Sequence, residues 1–104
     1  MKKIKLIPLF AFLIITNAGT IFAQNRLGRD FYEIGEYELA KSHFLKYGTS
    51  DATDNFCLGD IYFKEHKNDS AEYYFNKGLL ADSENVINRI GLAKLQTAKT
   101  GSIE

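Results

Sequence analysis

Four identities and one ring exchange recur in this chain at a single spacing, that from Leu27 to Leu58. Leu27, Gly28, Ala40 and Phe44 return as Leu58, Gly59, Ala71 and Phe75, and Phe31 returns as Tyr62. A fixed internal period restricts the chain to stacked copies of one supersecondary unit, because one such unit cannot bury its apolar face alone. Each copy has helical spacing. Leu58, Ile61 and Tyr62 fall at i, i+3 and i+4, and Ala71, Phe75 and Gly78 form a second stripe of the same kind. Gly59 and Ala71 are small enough for two antiparallel helices to approach, with the rings filling the space beside them. The first copy sets Leu27, Phe31 and Ile34 against Ala40 and Phe44, with Gly35 at the turn. The expected class is all-α: two antiparallel helix-turn-helix units and a fifth, terminal helix.

Leu27-Gly28-x-x-Phe31 followed by Gly35-x-Tyr37-x-x-Ala40-x-x-x-Phe44 resembles the signature of the tetratricopeptide repeat (TPR) family. Leu58-Gly59-x-x-Tyr62 and Ala71-x-x-x-Phe75 match it less fully. His66 and Asn68 replace Gly35 and Tyr37, no proline closes either copy, and the period is shorter than the family's usual length of about 34. The Sel1-like repeats share the Leu-Gly-x-x-Tyr opening. Either resemblance implies an α-solenoid that binds a protein or peptide without catalysis.

The boundaries follow from turn and cap chemistry. Repeat 1 spans 24–48, repeat 2 spans 53–81 and a partial repeat 3 spans 84–100. Gly48 and Gly101 are helix stops, and Asp51 or Thr53 caps the third helix. Asp69 with Glu72 reads as a capping box for the fourth helix, and Asp82-Ser83 as the cap of the fifth. Ile90-Gly91 follows Leu58-Gly59 at nearly the same interval and reads as the opening of the third copy. Ile87, Ile90 and Leu95 are expected to pack back near Leu79, leaving Leu92 and Leu95 as an uncovered apolar strip. Self-capping, association with a second copy and continuation into a longer array all fit that strip.

Lys2, Lys3 and Lys5 precede an apolar run from Leu6 to Ile15, and Ile21-Phe22-Ala23 ends the stretch on a small residue. This order is that of a secretory signal peptide, residues 1–23. Cleavage after Ala23 leaves a domain of residues 24–104, exported to the periplasm or secreted and free of the membrane. Its ten basic and thirteen acidic residues make it mildly acidic. The rival, an uncleaved anchor from Leu6 to Ala23, is short for a bilayer and carries Pro8 and Asn17.

Phe56 and Phe63 lie two helical turns apart on a second stripe of the third helix, with Asp60 beside them. Asn25, Arg29 and Tyr32 hold the matching places in the first helix. Two arrangements fit. The rings form a peptide groove in which Arg29 and Asp60 hold polar groups of the ligand, or they pack between neighbouring repeats.

Chemistry is sparse. His43 and His66 lie in different units, with no cysteine or carboxylate at metal-ligand spacing from either. Cys57 is the single cysteine and reads as a small buried apolar residue. The glycines are dispersed, not clustered into a phosphate loop, and the lysines alternate with acids, which gives no nucleic-acid surface. The resulting expectation is a non-enzymatic adaptor of the envelope without cofactor or metal, whose partner is a protein, a peptide or a second copy. The alternative is a sensing or structural repeat segment of a larger envelope protein.

Overall fold

The computed structural model describes residues 26–101; the expected leader, Gln24, Asn25 and residues 102–104 lie outside the described residues. The described chain is helical, without a strand. Residues 26–33 form α1, followed by α2 (Tyr37–Tyr47), α3 (Ala52–Lys64), α4 (Asn68–Ala81) and α5 (Val86–Thr100). None of these helices is long and apolar enough to cross a membrane.

Local chemistry explains the boundaries. The α1–α2 turn is closed by Gly35 N donating to Tyr32 O at 3.1 Å and Glu36 N to Phe31 O at 2.9 Å. The α3–α4 turn repeats both bonds, His66 N to Phe63 O at 3.0 Å and Lys67 N to Tyr62 O at 2.9 Å. Both turns need a left-handed residue, supplied by Gly35 at φ 85° and by His66 at φ 61°. Asp51 caps α3 by accepting from Asp54 N, and Asn85 caps α5 by accepting from Asn88 N. The expected capping box on α4 does not form. That helix starts at Asn68, so Asp69 falls inside its first turn, and the Lys67 side chain makes no capping bond. Asp82 accepts from Glu84 N instead of capping α5.

Side-chain contacts fix the helix directions. Gly28 meets Phe44 and Gly59 meets Phe75, so α1 runs antiparallel to α2 and α3 to α4. Ala52 with Asn88 and Phe63 with Lys94 make α5 parallel to α3. The core has two centres. One gathers Ala40, Phe44, Cys57, Leu58 and Ile61, and the other Ala71, Phe75 and Leu95. Phe56 and Tyr62 touch both.

Burial corrects the assignment of the fifth helix. Ile90 is 50% exposed although Leu58, its expected counterpart, is fully buried. The buried side of α5 is Asn88, Gly91 and Leu95, with Leu92 packed against the second core. Leu92 and Leu95 are therefore covered by α3 and α4, and the large apolar residues of α5 left exposed are Val86 and Ile90. Leu27 is 39% and Ile34 72% exposed, because no described element lies outside α1 on that side.

A longer step accounts for α5. It carries the cap Asp51 onto Asn85, buried Asp54 onto buried Asn88, Leu58 onto Leu92 and Ile61 onto Leu95. Its excess over the Leu27-to-Leu58 step lies in the helices between: α2 has 11 residues and α4 has 14.

Candidate functional site

The residues of the expected groove lie along two seams, one between α1 and α3 and one between α3 and α5. In the first seam Arg29 reaches across from α1. Its Nε donates to Asp54 Oδ1 at 2.7 Å and its Nη2 to Asp51 Oδ2 at 2.6 Å. Asp54 is fully buried and also accepts from Ser50 N at 2.9 Å and Ser50 Oγ at 2.7 Å. A buried carboxylate requires such company, since desolvation strongly disfavours an unpaired charge. Burial works to lower the Arg29 pKa, but the Asp54 hydrogen bond and the Asp54 and Asp51 charges prevail and raise it.

One turn further along, Tyr32 donates its phenolic proton to Asp60 Oδ2 at 2.5 Å, and Lys64 Nζ donates to the same oxygen at 2.8 Å. Burial first, then the bond to Asp60, pushes the Tyr32 phenol far above its ordinary pKa. Asp60 is only 3% exposed, so its acceptors face other side chains of this chain and not solvent.

The second seam repeats the geometry with other chemistry. Phe63 holds the place of Tyr32 one unit on, and Lys94 that of Asp60; Lys94 Nζ sits 5.9 Å from the Phe63 ring centre. A hydroxyl–carboxylate bond is replaced by a cation over an aromatic face. Phe56 turns inward, its ring 5.8 Å from that of Phe75. Phe63 is half-buried against the second core of Ala71, Phe75 and Leu95.

The structure thus brings Arg29, Tyr32 and Asp60 together and sets Phe56 and Phe63 one seam away. Phe56, Phe63, Arg29 and Asp60 all have partners within the chain. Of the expected packing residues, Gly28, Ala40, Phe44, Leu58, Gly59, Ala71 and Phe75 are buried, and Phe31 and Tyr62 border the first core. Sequence reasoning passed over Asp54 and Asn88. The recurrence of Asp51-x-x-Asp54 as Asn85-x-x-Asn88 was the available signal.

The remaining reactive groups stand apart. Cys57 is buried, and burial first, then the Asp54 charge, pushes its thiol up to about 12 while Arg29 pulls the other way. The His43 ring lies 4.7 Å from that of Tyr47 and 6.0 Å from that of Phe31. Among the described residues no group of three His, Cys, Asp or Glu side chains could hold a metal ion. An open cleft of about 430 Å³ lies at the α1–α2 turn, between Glu36, Tyr37, Glu38, Ile61 and Lys64. No family model, no curated protein and no solved structure matches the chain.

Proposed function

We propose that the chain is a TPR-like helical-repeat module that binds a protein or peptide partner without catalysis, delivered to the cell envelope or beyond by its N-terminal leader. One observation carries this reading: equivalent pairs make equivalent contacts in successive units. Gly28 lies against Phe44 as Gly59 lies against Phe75. Lys41 of α2 pairs with Glu65 of α3 at 2.6 Å, and Glu72 of α4 pairs with Lys99 of α5 at 2.8 Å with the signs exchanged. Contacts that recur in this way are those of a stack in which each unit meets only its neighbours.

Such stacks present long surfaces of parallel helices, here α1, α3 and α5, suited to an extended ligand. Within that surface Arg29, Tyr32 and Phe63 retain partial exposure and form the contact line, while Asp60 and Phe56 hold it in shape. Burial of Cys57 with its raised pKa speaks against a thiolate nucleophile. Affinity capture from an envelope extract, comparing the mature chain with Phe63→Ala at matched helical content by circular dichroism, tests the reading. Loss of a captured protein with retained helicity supports it; identical capture by both chains removes Phe63 from the contact line, and no capture at all counts against the module.

A further inference from the structure

The outer side of α5 has a counterpart inside the molecule. The step that carries Asp51 onto Asn85 also carries Phe56, Gly59 and Phe63 of α3 onto Ile90, Ala93 and Thr97 of α5. In α3 that side is covered: Phe75 of α4 lies against Gly59 and beside Phe56, and Phe63 packs against the second core of Ala71, Phe75 and Leu95. In α5 it is bare. Ile90 is half-exposed, Ala93 is exposed, and Val86 one turn earlier extends the same stripe. The Thr97 hydroxyl donates back to Ala93 O at 3.0 Å, which spends its polar group within the helix.

Charge narrows the occupant. Val86–Thr100 contains Arg89, Lys94 and Lys99 and no carboxylate. Lys99 is paired with Glu72, whereas among the described residues neither Arg89 nor Lys94 forms an ion pair. Arg89 and Lys94 flank the bare stripe on opposite sides, given about 100° of rotation per residue. A second copy laid α5 against α5 would bring these cations together.

We propose that this stripe is a docking site for an acidic amphipathic helix of another protein, laid antiparallel to α5 as α4 lies on α3. The ligand places an aromatic side chain between Ile90 and Ala93, standing further from the helix than Phe75 does from Gly59 because Ala93 carries a Cβ, with a small residue one turn before it, as Phe75 follows Ala71. Carboxylates at its flanks meet Arg89 and Lys94. Lys94 also lies over Phe63 in the α3–α5 seam, but Ile90 and Ala93 lie outside the contact line of Arg29, Tyr32 and Phe63, so Ile90→Glu and Phe63→Ala test the two readings separately.

The probe is a helix-stabilised synthetic peptide spanning Asn68–Ala81 with Tyr74→Glu, which with Glu72 sets a carboxylate on either flank of the Ala71–Phe75 stripe. Isothermal titration against the chain is expected to show saturable binding, weakened at least about tenfold by Phe75→Ala in the peptide or Ile90→Glu in the protein. Thr97→Glu serves as the second protein variant, with circular dichroism to verify folding. Binding is also expected to weaken as salt rises from about 0.05 M to about 0.5 M. Absence of binding, or binding indifferent to Phe75→Ala and Ile90→Glu, overturns the proposal. So does a dimer by light scattering that Ile90→Glu dissociates, because a second copy would then own the stripe.

Discussion

Gly59 lies so close to Phe75 that a Cβ at position 59 would stand 2.7 Å from the ring. The ring cannot retreat, because a Cβ on Gly91 would meet it at 2.6 Å from the other helix. Phe75 is clasped between two glycines. Gly59→Ala is therefore expected to overpack the core by about 1–3 kcal/mol, exceeding the gain of about 1 kcal/mol that alanine brings to a helix. Chemical denaturation should show a lower midpoint for Gly59→Ala and for Gly91→Ala. The double variant should depart from additivity, since both methyl groups press on one ring.

The two left-handed turn residues predict opposite outcomes. His66 adopts φ 61° with a side chain, at a cost of about 1–2 kcal/mol relative to glycine's freedom. His66→Gly should raise stability by about 0.5–1 kcal/mol after the extra flexibility of the unfolded chain is counted. Gly35→Ala, at φ 85° with open space around it, should lower stability through backbone strain alone. Thermal melts of the two variants should move in opposite directions.

Arg29 holds a carboxylate that has no access to water. Arg29→Met leaves Asp54 with only its bonds to Ser50 and the α3 cap and should destabilise the fold by about 3 kcal/mol. The double variant Arg29→Met/Asp54→Asn should recover much of that loss, as the neutral amide needs no countercharge. Urea denaturation of the two singles and the double checks this.

Acid sensitivity should reside partly in the α2–α3 pair. The hydrogen bond from Lys41 holds the Glu65 carboxyl below its ordinary pKa, against the opposing effect of burial. The stabilisation it provides is complete above the ordinary glutamate value of about 4.3 and is lost as pH falls through the lower folded value. Lys41 is raised by the same bond, so its share persists below about 10.4 and is lost only as pH rises through its higher folded value. Glu65→Gln should cost about 1 kcal/mol at neutral pH and flatten the acid limb of the stability curve. Melting temperatures between about pH 2 and about pH 8 supply that curve.

Cys57 should resist modification. With its thiol pushed up to about 12 and its side chain buried, labelling by a soluble disulfide reagent at about pH 8 should proceed only through opening of the fold. The labelling rate should rise with the destabilisation of Gly59→Ala. Prompt stoichiometric labelling of the native protein would contradict this burial.

Much of the fold was legible because it depends on local features. The period of Leu27-Gly28 and Leu58-Gly59, the turn glycine at 35 and the stops at 48 and 101 placed the helices to within a residue or two. The rotation of α5 was not legible from Ile90-Gly91, because Gly91 imitates Gly59 while occupying the place of Cys57. The burial of Asn88 and Leu95, with Leu92 packed on the second core, reveals the shift, which the recurrence of Asp51-x-x-Asp54 as Asn85-x-x-Asn88 also marks. The seams were half legible. Spacing placed Arg29, Tyr32, Asp60 and Phe63 along one side, but which groups they bind depends on how the helices cross. Asp54 looked like an ordinary first-turn acid until the Arg29 side chain closed over it.

The greater length of α4 over α2 means that the hairpins are not interchangeable cassettes. Copying α1–α2 into the place of α3–α4 would bring the chain to α5 about 4.5 Å short and turned by about 300°. Duplication or shuffling of these hairpins must therefore preserve which length comes second, a grammar that any engineered extension of the protein inherits.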